Sequence, residues 1–314
     1  MKRFIRIGVV TAWPDDDWHS QRLLSALGRR GEAIAIDPAA LAAVVEGEDV
    51  AVTAAGRALG EVDAFVLARG LGRAGDPDVQ FEIYRALEGA GAIVVNRIEP
   101  LLAAQDKFRT SWLLARAGVP TPPAAVVQSA EAADRALATL GDAVMKPVAG
   151  SLGDDVARVG RDAEGRRAIA ERAARDGALY LQQYVPHPGR DLRVFVVGGE
   201  TRAAITRHAP PGEWRTNVAG GGRAESTDCP DAVRQVAEAA AAVLGLDYAG
   251  VDLVIGDDGP TVIEVNGNPS WRGILEATGL DMADAIAEHV LGRALRGRMT
   301  SDHIVREPTG ATHG

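Results

Sequence analysis

One cysteine, Cys229, is present in 314 residues, so no internal disulfide can form and a reducing compartment is expected. No neighbouring pattern marks that thiol as a nucleophile, and an inert side chain is its simpler reading. Aromatic residues are scarce, at 4%. No apolar run approaches the roughly 20 residues of a membrane span, so no membrane partner is expected. The first residues become strand-like at once and carry no small-residue cleavage site, so a signal peptide is not expected and a cytoplasmic location is. Positive charge is in deficit: 34 Lys and Arg stand against 43 Asp and Glu, a net charge of −9. That argues against a nonspecific nucleic-acid binder, which needs a basic footprint, but leaves room for an acidic nucleotide in a locally basic pocket. No Gly-x-Gly-x-x-Gly follows the first strand, so the dinucleotide fingerprint is missing. The six histidines are scattered without zinc-ligand spacing, and no solenoid repeat is visible.

What is there is a regular alternation. Strands are predicted near 4–10, 32–37, 63–68 and 92–96, with helices near 19–30 and 78–91, which indicates a parallel sheet covered on both faces. The proline cluster Gly118-Val119-Pro120-Thr121-Pro122-Pro123 reads as a stiff linker. Beyond it, strands near 124–127, 143–146, 156–159 and 178–184 and helices over 129–140 and 162–175 form a compact α+β module. A strand pair follows around Gly198-Gly199, then an Ala-rich helix over 230–245 and a last helix from about 282 to 296. Residues 301–314 read as a frayed tail.

The most informative stretch is Val251-Asp252-Leu253 followed by Val262-Ile263-Glu264-Val265-Asn266-Gly267-Asn268-Pro269. Two apolar runs flank the turn signal Gly256-Asp257-Asp258-Gly259, which reads as a hairpin. Period 2 puts Glu264 and Asn266 on one face. With Asp252 they offer three hard oxygen ligands at one end of a short sheet, a set that suits Mg²⁺ shared with substrate phosphates. Taken alone, the same pattern would be a hairpin with exposed acids.

Other motifs precede it in a definite order. Asp106-Lys107 opens a helical run. Lys146 ends an apolar strand before Pro147, where solvent exposure is less expected, and Gly150-Ser151-Leu152-Gly153 follows. Next come Gln182-Gln183-Tyr184-Val185, then Asp191-Leu192-Arg193, then Arg215-Thr216-Asn217. The ordered set, over roughly residues 96 to 295, resembles the ATP-grasp ligases and, within them, the RimK-like branch that adds glutamate to amines. Acceptors in that branch include a ribosomal protein, a lysine-biosynthesis carrier protein and tetrahydromethanopterin.

The resemblance implies a fold and a set of roles. The fold is α/β and α+β: an N-terminal Rossmann-like parallel-sheet domain (1–96), a central lid (97–183), a C-terminal antiparallel-sheet domain with the metal site (184–298) and a tail (299–314). Lys107 and Lys146 would meet nucleotide phosphates, and the backbone of Gly150, Ser151 and Gly153 would approach them closely because glycine has no Cβ. Gln182, Gln183, Tyr184 and Val185 would form the adenine hinge, and Asp191 would accept a ribose hydroxyl. Arg193, Arg215 and Asn217 would clamp the reacting carboxylate and acyl phosphate. Asp252, Glu264 and Asn266 would hold two Mg²⁺ ions, or Mn²⁺, with Glu264 bridging. Asn268, Trp271 and Arg272 would face substrate, Trp271 offering a flat ring. From the N-terminal domain, Arg69 could meet a substrate carboxylate, beside the loop Thr11-Ala12-Trp13-Pro14-Asp15-Asp16-Asp17-Trp18. Three features depart from the family pattern: Asp154 and Asp155 follow the glycine loop, Gln183 stands where Glu is common, and Gly220 stands where a basic residue is usual.

The implied reaction is ATP-dependent amide formation through an acyl phosphate, joining L-glutamate or another amino acid to an amine or glutamyl acceptor, with the chain acting as a homodimer or homotetramer. A D-alanine-type dipeptide ligase and a catalytically silent nucleotide-binding scaffold are the alternatives.

Overall fold

The computed structural model describes residues 4–73, 75–148, 155–216 and 222–304, with no account of the side chains of 46 and 300–304. The chain divides into two units, Met1–Ile98 with Met282–Gly314, and Glu99–Asp281.

The first unit opens with β1 (Arg6–Thr11), α1 (Trp18–Gly28) and β2 (Glu32–Ile36). Asp17 caps α1 by accepting the Ser20 N–H. Then come β3 (Leu41–Glu46), β4 (Asp49–Ala54), β5 (Arg57–Ala58), β6 (Ala64–Arg69), α2 (Pro77–Gly89) and β7 (Val94–Val95). The parallel sheet has the order β2-β1-β6-β7. Its central strands are buried on both faces, which is why Val9, Val10, Val66 and Leu67 are fully enclosed and read as continuous apolar runs. A three-stranded antiparallel sheet, β3-β4-β5, was not foreseen. Val44 and Val45 of β3 are exposed, so the strands lack the apolar-in, polar-out alternation that marks a half-buried sheet. Its tight turns rest on the positive φ angles of Gly47, Ala55 and Gly56.

The second unit begins with α3 (Ile98–Gln105) and α4 (Lys107–Arg116), the latter capped by Asp106. Its lid comprises β8 (Ala124–Val127), α5 (Ala130–Leu140), β9 (Ala143–Lys146), β10 (Ala157–Val159), α6 (Ala163–Asp176) and β11 (Leu179–Gln183), with sheet order β10-β9-β11-β8. Ser129 and Asp162 cap the helices, whose apolar faces close over Met145, Leu179 and Leu181 through Leu137, Leu140 and Ile169. A five-stranded antiparallel sheet follows, built from β12 (Arg190–Val197), β13 (Glu200–His208), β14 (Arg223–Ser226), β15 (Tyr248–Gly256) and β16 (Gly259–Asn266) in the order β14-β13-β12-β15-β16. Between β14 and β15 runs α7 (Asp231–Leu244), whose Ala237, Ala240 and Ala241 pack on Val194, Val251 and Val265. The proline linker lies along β16: Val262 N–H donates to Pro120 O at 2.8 Å, and Thr121 Oγ1 donates to Val262 O at 3.0 Å. A short α8 (Arg272–Thr278) completes the unit.

The last helix, α9 (Met282–Ile304), belongs to the first unit rather than to the C-terminal sheet domain with which sequence grouped it. It packs on α1 and β6. Ala283, Ile286, Ala287 and Val290 form its buried stripe, and Arg298 clasps Asp63. It also runs into the expected tail, of which residues 305–314 lie outside the described residues. Among the described residues no helix is long and apolar enough to cross a membrane.

Leu137 is fully buried in the lid core. Leu137→Ala should cost about 2–5 kcal/mol. Hydrogen exchange is expected to rise across α5 and β11 and to stay unchanged in β12 and β15; uniform protection would contradict a separate lid core.

Candidate active site

Two register shifts build the site. In the β15–β16 hairpin, counting back from the turn would set Asp252 opposite Ile263. A bulge between Asp252 and Leu253 instead pairs Asp252 with Glu264, so both carboxylates share a face. In the β12–β13 hairpin, a shift between Phe195 and Val196 pairs Asp191 with Arg207. Across the next strand boundary, Arg193 pairs with Asp252.

These registers produce a buried ionic chain. Arg207 donates from Nε to Asp191 Oδ1 at 2.8 Å and from Nη2 to Asp191 Oδ2 at 2.5 Å. Its Nη2 also lies 3.0 Å from Asp252 Oδ2. Arg193 completes the set, reaching Asp252 Oδ1 through Nε and Oδ2 through Nη2 at 2.7 Å. Asp191, Arg207 and Asp252 are all buried. Burial opposes the charge on Asp252, but the guanidinium groups of Arg193 and Arg207 prevail and hold its carboxyl below the ordinary range. Burial likewise opposes the charge on Arg207, and Asp252 and Asp191 outweigh it, raising its pKa. Close approach needs Gly250: a Cβ there would lie 3.1 Å from Arg193 Nη1 and 2.8 Å from Pro269 Cβ.

Two lysines stand near Glu264. Lys146, half-buried at the end of β9, donates from Nζ to Gln182 Oε1 at 2.8 Å and to Ile263 O at 3.4 Å. Desolvation lowers its pKa, Glu264 and Asp252 counter that, and Lys107 adds repulsion. Lys107, the first residue of α4, is likewise lowered by desolvation and supported by Glu264 and Asp106. Lys107, Ser111, Tyr180 and Glu264 line one small cavity. The Tyr180 hydroxyl is 2.7 Å from Ser111 Oγ, and burial pushes its pKa up to about 12.

The oxygen set was tested for metal binding against this geometry. Three guanidinium N–H groups occupy the Asp252 carboxylate, which has about four acceptor positions. Glu264 accepts no hydrogen bond among the described residues; the buried Asn266 Nδ2 has no partner among them but is a donor, so a cation would be met by the amide oxygen. A carboxylate and an amide on one strand face, next to a carboxylate with a remaining acceptor position, suit a hard cation. Among the described residues no group of three His, Cys, Asp or Glu side chains gathers; the third donor here is an amide.

Other expected residues stand differently. Strand alternation turns Gln182 toward Lys146 and Gln183 to the opposite face, where its Nε2 donates to Leu140 O, so the side chain of Gln183 does not share the lysine face expected of an adenine reader. The carboxylate of Asp191, expected on a ribose, is held by Arg207. Tyr184 lies under the Arg158 guanidinium at 4.1 Å, and its N–H donates to Asp142 O; Val185 packs near Gly256. Arg215 is exposed and outside the ionic chain, donating to Val156 O at 3.4 Å and to Glu213. Trp271 is 1% exposed: its ring meets Phe195 edge-on and its Nε1 donates to Asp281 at 3.0 Å, so its face is closed to substrate. Asn268 is half-buried, and the exposed Arg272 begins α8. Arg69 ends β6 in the first unit. Gly150, Ser151, Gly153, Asp154, Asn217 and Gly220 lie outside the described residues. Arg207 was missed by sequence reasoning, because only the shift at Phe195 turns it toward Asp191.

The fold is that of the ATP-grasp ligases. The ligase PsnB, in a complex with a phosphomimetic variant of minimal precursor, Mg and ADP, matches with a TM-score of 0.73 at 23% identity, covering 92% of this chain and 98% of that one. The chain belongs to the RimK-like ATP-grasp family, whose domain model matches residues 104–290. It is 35% identical over 320 residues to the tetrahydromethanopterin:alpha-L-glutamate ligase of Methanosarcina acetivorans, covering 91% of this chain and 98% of that protein. To the ligase of the same name from Methanococcus maripaludis it is 30% identical, covering 92% and 99%. It is therefore an ATP-dependent, ADP-forming carboxylate–amine ligase.

Arg207→Met should destabilise the second unit by about 3–5 kcal/mol, because it leaves two buried carboxylates uncompensated. Adding Asp191→Leu should recover part of that loss in urea unfolding; additive losses would show that the pair is not coupled. Because the folded pKa of Asp252 is depressed, its stabilisation is complete above the unfolded value of about 3.9 and is lost as pH falls through the folded value. Asp252→Asn should flatten that acid limb, and an unchanged limb would count against the pairing.

Proposed function

We propose that this chain joins L-glutamate in amide linkage to a small coenzyme acceptor, with ATP and Mg²⁺. The observation that carries the reading is the cavity that Lys107 and Glu264 line together, with Lys146 reaching the carbonyl of Ile263 next to Glu264, beside the Arg193–Asp252 pair. The names of the relatives support glutamate as the added residue and a pterin coenzyme as the acceptor class.

A carboxylate oxygen attacks the γ-phosphorus of ATP, and the bond to the ADP oxygen breaks. An amine then attacks the acyl carbon of the resulting acyl phosphate, phosphate leaves, and the amine proton passes to phosphate or water. Lys107 and Lys146 hold phosphate oxygens; because burial discourages their charge, a polyanion is the partner that restores it. Arg193 orients the reacting carboxylate or phosphoryl group by a planar two-point contact. Arg215 and Asn217 act on the same group. Gln182, Tyr184 and Val185 meet adenine, and the lid excludes water. Glu264, Asn266 and Asp252 would hold two Mg²⁺, for which Mn²⁺ can substitute, and the cations neutralise charge on the phosphates. The protein works in the cytoplasm as a homo-oligomer.

The test incubates the full chain with ATP, Mg²⁺, labelled L-glutamate and cell extract, and reads labelled products by mass spectrometry. A labelled amide with matching ADP is expected. Labelling only with D-alanine, or nucleotide binding without any amide, would overturn the reading. Glu264→Ala should lower turnover by at least about 10²-fold with the circular dichroism spectrum unchanged; wild-type turnover would refute the metal role.

A further inference from the structure

The parallel sheet of the first unit has its own topological switch point. The chain leaves β1 for β2 on one side and returns to β6 on the other, so the loops after β1 and β6 stand side by side at the switch point, the position where open α/β sheets bind ligands. Two loops meet there, and their geometry is tightly specified. Ala12 N–H donates to Arg69 O at 3.0 Å, and Arg73 N–H donates to Gly70 O at 2.9 Å. Gly70 has φ +72°, and a Cβ on it would come within 3.2 Å of the Trp13 ring, so the indole lies flush against the second loop. Gln80, 4% exposed on α2, spends both ends of its amide on that loop, accepting from Gly72 N–H at 2.9 Å and donating to Arg73 O at 3.1 Å. The first loop is fixed as firmly: Trp13 N–H donates to Thr11 Oγ1 at 3.3 Å, and Thr11 Oγ1 lies 2.8 Å from Ser20 Oγ.

This scaffolding presents an exposed pair to solvent. Trp13 is 38% exposed, unlike most large aromatics of the chain, and the Arg73 guanidinium stands 5.3 Å from its ring centroid. An indole with a guanidinium over it is a flat, cationic surface. It stacks planar rings and offers charge-assisted hydrogen bonds to an anion.

We propose that Trp13 and Arg73 form the acceptor-recognition platform, taking a planar aromatic ring that carries an anionic group. The identification of that ligand as the ligase acceptor rests on the glutamate-ligase reading; the platform itself does not.

The test titrates the full chain with pterin-6-carboxylate by calorimetry, alongside Trp13→Ala, Trp13→Phe, Arg73→Gln and a ring-free tetraglutamate peptide. Wild type should bind the ring acid. Trp13→Ala should weaken it at least tenfold, Arg73→Gln should weaken it, Trp13→Phe should largely retain it, and ADP affinity should be unchanged in every variant. Absence of wild-type binding, equal binding by Trp13→Ala, or equal affinity for tetraglutamate would overturn the platform. Steady-state ligation supplies the link to function: the KM for a ring-bearing acceptor should rise in Trp13→Ala while the KM for ATP stays fixed. Ring-acid binding that depends on Trp13, in a chain that forms no labelled amide, would refute the ligase reading and support the platform.

Discussion

The site in the second unit depends on one buried carboxylate. Asp252 sits between the guanidinium groups of Arg193 and Arg207, and Arg207 ties it in turn to Asp191. Charges this deep are costly unless every partner is present, and such arrangements specify geometry more than they add stability. Here they lock β12, β13 and β15 in one register and fix where Arg193 lies over Gly250.

The electrostatics follow from that arrangement. Lys107, Lys146, Arg193 and Arg207 gather around Asp106, Asp191, Asp252 and Glu264, so positive charge is concentrated here in a chain that is acidic overall. Two of the acids are already matched by arginines, which leaves Glu264 facing two desolvated, mutually repelling ammonium groups. A multiply charged anion with a bound cation would relieve both strains, the anion meeting the lysines and the cation Glu264 and Asn266. That complementarity links the fold to nucleotide chemistry without requiring a basic protein.

Much of this was legible in the sequence. The apolar runs marked the core strands, the helical runs opening at Asp106-Lys107 and near residue 129 were visible, and the order of short motifs marked the family. What was illegible came from tertiary context. A bulge costs one residue and reverses which face a side chain takes, so neither the Arg207–Asp191 pair nor the Asp252–Glu264 pairing follows from simple hairpin counting. Alternation separated Gln182 from Gln183, although the two amides look equivalent in the chain. Trp271 is adjacent to the metal-type motif, yet Phe195 and Asp281 draw it into the core. The strands between residues 41 and 58 hold several valines but leave Val44 and Val45 exposed, so no buried-face alternation announces a sheet.

The most direct measurement is a crystal structure of the full chain with Mg²⁺ and a nonhydrolysable ATP analogue. The account predicts phosphate oxygens within hydrogen-bond distance of Lys107 and Lys146, and metal coordinated by Glu264 and Asn266 with the Asp252–Arg193 pair alongside. Triphosphate bound elsewhere, with no phosphate oxygen near either lysine, would contradict it.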